Sequence, residues 1–86
     1  MPRICYFLGI SIYMYWTEHS PPHFHVAYNE YAAEILIETG EIIKGKMPPK
    51  ATSIIKEWTN LHRKELMKNW ELAQKNKELM PIEPLE

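Results

Sequence analysis

The chain has 86 residues, of which 45% are hydrophobic and 24% are charged, and its formal net charge is −1. This length predicts one domain with a small core, and the near-neutral charge argues against a nonspecific nucleic-acid binder held by a broad basic field. Its one cysteine excludes an intramolecular disulfide, and no apolar run reaches about 20 residues. The first residues do not resemble a signal peptide, so we expect a cytoplasmic protein without a membrane span.

Residues 3–46 carry the period-two alternation of β-strands in several short runs. The clearest run covers residues 10–17, where apolar and polar side chains alternate strictly. Turns are predicted at Leu8-Gly9, Asn29-Glu30 and Thr39-Gly40, and a loop with two prolines covers residues 18–22. We therefore predict a curled antiparallel sheet of about five short strands.

From Pro48 onward the apolar residues recur at steps of three and four, which is typical of an amphipathic helix. The pattern predicts one long C-terminal helix over about 49–75 that packs on the sheet, and Pro48-Pro49 suit its start. The fold class is therefore α+β, with residues 1–75 as a single domain. Residues 76–86 include Pro81 and Pro84, and we expect an extended or disordered C-terminal tail.

A two-residue turn at Asn29-Glu30 defines the register of the hairpin around it. Tyr28 then faces Tyr31, His25 faces Glu34, and every second residue shares a face. One face is apolar throughout and the opposite face is largely polar. The apolar face collects Phe24, Val26, Tyr28, Tyr31, Ala33, Ile35 and Ile37, and the other collects His23, His25, Ala27, Ala32, Glu34, Leu36 and Glu38.

On the polar face, His23 and His25 point the same way and Glu34 lies directly across from His25. Cβ atoms of such cross-strand pairs are about 4.5–5.5 Å apart, close enough for a carboxylate to orient an imidazole. Acid–base chemistry by His23 and His25, with Glu34 orienting His25, is therefore one hypothesis. The alternative is an exposed strand face that carries histidines for solubility only.

A divalent metal site is the other hypothesis for the same residues. We expect His19, from the loop with Pro21-Pro22, to join His23 and His25 as ligands, since His-x-His is a familiar ligand spacing. A site with fewer than three ligands would be incomplete, and Glu34 and Glu18 are the other candidates for the third ligand. No cofactor is required by the pattern, and a divalent metal is the alternative.

Three tyrosines suggest a binding surface on the same side of the sheet. Tyr13 and Tyr15 lie on the non-core face of their strand, and Tyr6 is predicted to lie across from Ser11. An exposed aromatic face is typical of a surface that binds a protein or single-stranded nucleic acid.

The chain resembles the short bacterial family called domain of unknown function 4160 over about residues 1–73. That family has no established activity to transfer, and the resemblance implies a gene neighbourhood with another small domain, as in a toxin–antitoxin-like pair. The resemblance also implies that many relatives carry an acidic residue where this chain has Leu36, opposite His23. The residues that carry the resemblance are Pro21-Pro22-His23-Phe24-His25, Tyr28-Asn29-Glu30-Tyr31, Thr39-Gly40-Glu41, Pro48-Pro49, Trp58, His62, Glu65-Leu66 and Asn69-Trp70.

Together these patterns predict an interaction module that pairs with a small partner protein or with itself through Tyr6, Tyr13 and Tyr15. The first alternative is an RNA-binding or RNA-cleaving protein that uses His23 and His25. The second alternative is a metal-binding protein that uses His19, His23 and His25. The sequence does not assign an enzymatic activity.

Overall fold

The computed structural model describes residues 3–85, which form an α+β fold with a five-stranded antiparallel sheet. The strands follow one another in space in chain order, so each neighbouring pair is joined by a direct connection. The predicted fold class and strand number are confirmed. The elements are β1 (Arg3–Phe7), β2 (Ile10–Tyr13), β3 (His23–Tyr28), β4 (Tyr31–Leu36), β5 (Ile42–Gly45), α1 (Pro49–Leu61) and α2 (Arg63–Gln74).

The β3–β4 register agrees with the sequence prediction at every pair. His25 pairs with Glu34 and Tyr28 pairs with Tyr31 across the two-residue turn, in which Asn29 has a φ of 52°. The β1–β2 turn places both Leu8 and Gly9 at positive φ, 50° and 80°, as expected for a tight hairpin whose twist matches its strands. One face of the sheet is therefore apolar and packs on the helices; we call it the inner face. The opposite face carries the histidines and is called the outer face.

The prediction of one long C-terminal helix is wrong, because the structure has two helices that meet at His62. This residue has a φ of −117° and a ψ of 24°, outside the helical region. Arg63 stabilises the junction by donating from Nε to the carbonyl oxygen of Ile37 at 2.8 Å. The apolar spacing stays in phase across the bend, so the sequence pattern could not reveal it. Neither described helix is long and apolar enough to cross a membrane.

The core lies between the inner face of the sheet and the two helices. Trp58 of α1 is fully buried at its centre, with its ring 5.8 Å from that of Phe24 and 5.9 Å from that of Phe7. Cys5 is also buried in the core, and this burial raises the pKa of its thiol, which favours the neutral, unreactive form.

The segment after α2 has no regular secondary structure and packs along the β1 side of the core. The backbone N–H of Ile82 donates to the carbonyl oxygen of Ile4 at 2.9 Å, and the Ile82 side chain is buried. The Asn69 side chain exchanges two hydrogen bonds with the backbone of Met80, at 2.8 and 2.9 Å. The Trp58 indole donates to the carbonyl oxygen of Glu83. The segment therefore contributes to the packing of the domain.

We predict that Gly45→Ala destabilises the protein by about 2 kcal/mol or more. Gly45 has a φ of 86°, and a Cβ there would overlap the carbonyl oxygen of Ala32 and lie 2.8 Å from the Cα of Ala33. Both neighbours are backbone atoms of a sheet strand and cannot move aside cheaply. Urea unfolding followed by far-ultraviolet circular dichroism measures the change.

Gly9→Ala is the matched control for that substitution. Gly9 also has a positive φ, but its added Cβ would meet only the Tyr28 side chain, at 3.3 Å. We expect a smaller loss of stability than for Gly45→Ala. Equal losses of stability for the two variants would show that the close approach of β5 to β4 does not add to the cost of a side chain at Gly45.

Candidate functional site

The site is built where β3 begins, on the outer face of the sheet. His23 and His25 are separated by one residue of the strand, so both rings point to the outer face while Phe24 points into the core. The His23 side chain is 8% exposed and the His25 side chain is 22% exposed. The two ring centroids are 5.3 Å apart. Strand periodicity alone therefore brings two imidazoles together at a partly enclosed position.

Glu18, from the loop between β2 and β3, joins the two histidines. Its Oε1 lies 2.6 Å from Nε2 of His25 and 3.4 Å from Nε2 of His23. These three ligand-type atoms all lie within 4.8 Å of one another. A carboxylate oxygen only accepts hydrogen bonds, so Nε2 of His25 donates to Glu18 in this arrangement.

The orientation of the His23 ring is set by its other nitrogen. Nδ1 lies 2.8 Å from the carbonyl oxygen of Pro21, and a carbonyl only accepts, so Nδ1 carries the proton. In the neutral ring, Nε2 then presents a lone pair to two carboxylates, with Glu18 at 3.4 Å and Glu34 at 3.7 Å. A cation placed among these acceptors would be attracted to all of them.

The C-terminal part of the chain holds the Glu18 loop in place. Gln74, at the end of α2, donates from Nε2 to the carbonyl oxygen of Glu18 at 3.0 Å. The Trp16 indole donates to the carbonyl oxygen of Lys77 at 2.8 Å. The ring of Trp70 packs 5.4 Å from the ring of His23. Residues far apart in sequence therefore position Glu18 and His23.

The structure brings together some of the predicted site residues and separates others. His19 is exposed and does not belong to the group of converging ligand atoms. Glu18, and not His19, is the third residue that meets His23 and His25. Glu34 pairs with His25 in the register, as predicted, but its carboxylate lies near Nε2 of His23 and not near His25. The sequence signal for Glu18 is only its place five residues before His23, and that spacing is not diagnostic.

Two of the three tyrosines predicted to bind a partner lie beside the histidines. The rings of Tyr13 and Tyr15 are nearly parallel, with centroids 6.4 Å apart, and the Tyr15 ring meets that of His25 edge-on at 4.5 Å. Burial, with the nearby Tyr13 and Glu18, raises the pKa of Tyr15, so its phenol stays neutral around pH 7. Tyr6 lies across from Ser11, as predicted, and is 54% exposed.

A comparison with known protein families assigns the chain to one of them. The family described as Domain of unknown function (DUF4160) matches residues 9–71, which is more than half of the chain and includes Glu18, His23, His25 and Glu34. The chain belongs to this family. The predicted resemblance is therefore confirmed, and the family carries no described activity. No curated protein and no solved structure matches the chain.

We predict that Glu18→Gln destabilises the metal-free protein by about 1–2 kcal/mol, because it removes the charge from a short hydrogen bond to His25. Urea unfolding at neutral pH in the presence of a chelator measures the change. Glu57→Gln, on the exposed face of α1, is the control and should change stability by less than about 0.5 kcal/mol. Indistinguishable midpoints for the two variants would contradict the role given to Glu18.

Proposed function

We propose that the protein binds one divalent transition-metal ion through Glu18, His23 and His25. The observation that carries this proposal is the convergence of Oε1 of Glu18 with Nε2 of each histidine, all within 4.8 Å. Imidazole and carboxylate are ordinary ligands of zinc and ferrous iron, and the presence of two imidazoles argues against calcium and magnesium.

The His23 ring is already oriented as a metal ligand needs to be. Histidine ligands usually donate their second ring N–H to a carbonyl or carboxylate, which selects the tautomer and directs the free nitrogen toward the metal. The hydrogen bond from Nδ1 of His23 to Pro21 supplies this contact at 2.8 Å. A metal ion at this position would also interact favourably with the two nearby carboxylates, Glu18 and Glu34.

Two of the distances between ligand atoms can be compared with those around a tetrahedral ion. Ligand atoms 2.0–2.1 Å from a tetrahedral zinc lie about 3.3 Å from one another. Glu18 and His23 are already separated by 3.4 Å, whereas the 2.6 Å between Glu18 and His25 must open by about 0.7 Å. For Nε2 of His25 to ligate, its proton must move to Nδ1 of the same ring, and because protons compete with the metal for imidazole nitrogens, binding should weaken in acid.

The donor set has three members, and three protein ligands leave a tetrahedral ion with one open position. Zinc sites with two histidines and one glutamate use such a position for catalysis, and two histidines with one carboxylate also hold ferrous iron in oxygenases. The burial of His23 supports ligation over direct proton transfer to a large substrate, because its side chain is only 8% exposed.

The exposure of the three tyrosines supports a partner-binding role less strongly than the convergence of ligand atoms supports metal binding. Of the three tyrosines predicted to bind a partner, Tyr13 and Tyr15 are half-buried beside His25, so only part of each ring reaches the surface. Tyr6 is the member of the three that stands well out from the surface. Pairing with a small protein or with a second copy, and an action on RNA, stay predictions from the sequence.

The proposal is tested with protein purified without an affinity tag, stripped with a chelator and titrated with Zn²⁺ or Co²⁺. We expect one ion per chain and, with Co²⁺, the visible absorption of a tetrahedral site. Glu18→Gln, His23→Ala and His25→Ala should each weaken binding by about 100-fold or more, since loss of a supporting contact alone typically costs 10- to 100-fold.

His19→Ala and His62→Ala are the controls, because both histidines lie outside the converging group. They should bind the ion as the wild type does, and this result would also separate Glu18 from His19 as the third ligand. Circular dichroism of each variant tests whether it is folded, so that a loss of binding is not mistaken for unfolding. Absence of stoichiometric binding, or equal losses in the control variants, would overturn the proposal.

A further inference from the structure

A shallow groove of about 310 Å³ runs over the outer face of the sheet and begins at His25. Its floor is made by small residues, with Ala27 and Ala32 facing outward from paired positions of β3 and β4. Tyr13 and Tyr15 line one side, and Lys44 with Gly45 lines the other. This volume lies at the lower end of the range for small-molecule sites, about 300–1,000 Å³.

A row of side chains crosses four strands from one side of the groove to the other, with Tyr13 at one end and Lys44 at the other. The register pairs Tyr13 with His25, His25 with Glu34, and Glu34 with Lys44. Paired residues of adjacent strands point to the same face, so an aromatic ring, an imidazole, a carboxylate and an ammonium follow one another. The backbones of Tyr13 and Lys44 are three strand spacings apart, or about 14 Å.

The two ends of this row differ in chemistry. At one end the nearly parallel rings of Tyr13 and Tyr15 offer flat apolar surface. At the other end Lys44 is exposed, and within residues 3–85 its ammonium makes no ion pair. Alanine side chains between the ends leave room for a ligand to lie flat on the sheet.

We propose that this groove binds a small ligand that combines a planar ring with an anionic phosphate or carboxylate group. The ring stacks at the Tyr13–Tyr15 end, as bases stack on aromatic side chains in single-strand binding proteins. The anionic group pairs with the ammonium of Lys44. A ligand with only one of the two features uses half of the groove and binds more weakly.

The inference rests on the proposed function in one respect. His25 belongs both to the groove and to the metal-binding group, so a ligand in the groove lies beside the metal ion. The metal also offsets the negative charges of Glu18 and Glu34, which would otherwise repel an anion. We therefore expect the metal-loaded protein to bind the ligand more tightly than the metal-free protein.

The test is a titration followed by amide chemical shifts, on zinc-loaded and on metal-free protein. Adenosine 5′-monophosphate supplies ring and phosphate, adenosine supplies only the ring, and ribose 5-phosphate supplies only the anion. Indole-3-acetate tests the carboxylate source of the same chemistry. We expect either complete ligand to bind about tenfold more tightly than either fragment, with shifts in β2 to β5.

Two variants separate the ends of the groove. Lys44→Gln should weaken adenosine 5′-monophosphate about tenfold and leave adenosine unchanged, whereas Tyr13→Leu should weaken both. Lys68→Gln on α2 and the exposed Tyr6→Leu are the matched controls and should have no effect. Equal binding of adenosine and its monophosphate, or no effect of Lys44→Gln, would overturn the inference.

Failure of this inference is distinguishable from failure of the metal site. Stoichiometric Co²⁺ binding without ligand shifts in the groove overturns the groove and leaves the metal site standing. Ligand binding with the expected loss in Lys44→Gln, in a protein that binds no metal, supports the groove and overturns the metal site.

Discussion

The register of the β3–β4 hairpin is the constraint on which the rest of the structure depends. Successive strand residues point to opposite faces, so the pairing of Tyr28 with Tyr31 decides the face of every other residue in the hairpin. With this register, Phe24 enters the core and both His23 and His25 face outward. A slip of one residue would bury the histidines under the helices and expose the core residues, at a cost of many kcal/mol of lost burial.

The polar site takes its final form from parts of the chain that are distant in sequence. Glu18 reaches the histidines from a loop, and Gln74 bonds to that loop from 56 residues further along. The ring of Trp70 packs against the ring of His23, and the Trp16 indole donates a hydrogen bond to the segment after α2. The stability of the C-terminal helix and the geometry of the proposed metal ligands are thereby coupled.

The proposed metal site and the groove both lie on the outer face of the sheet. The inner face of the sheet is occupied by the helices, and the outer face combines a negatively charged pair of carboxylates with imidazoles, tyrosines and Lys44. The proposed cation near His23 would offset the charges of these carboxylates beside a buried ring. A bound ion would turn this negative surface into one able to accept an anion.

The sequence by itself determined the α+β class, the five strands and the hairpin register, because each depends on local periodicity and turn residues. The tertiary structure alone decided the bend at His62, since the apolar stripe keeps its phase through it. It also decided that Glu18 and not His19 meets His23 and His25. Which loop side chain reaches a strand depends on long-range contacts such as that of Gln74, and these leave no periodic trace in the sequence.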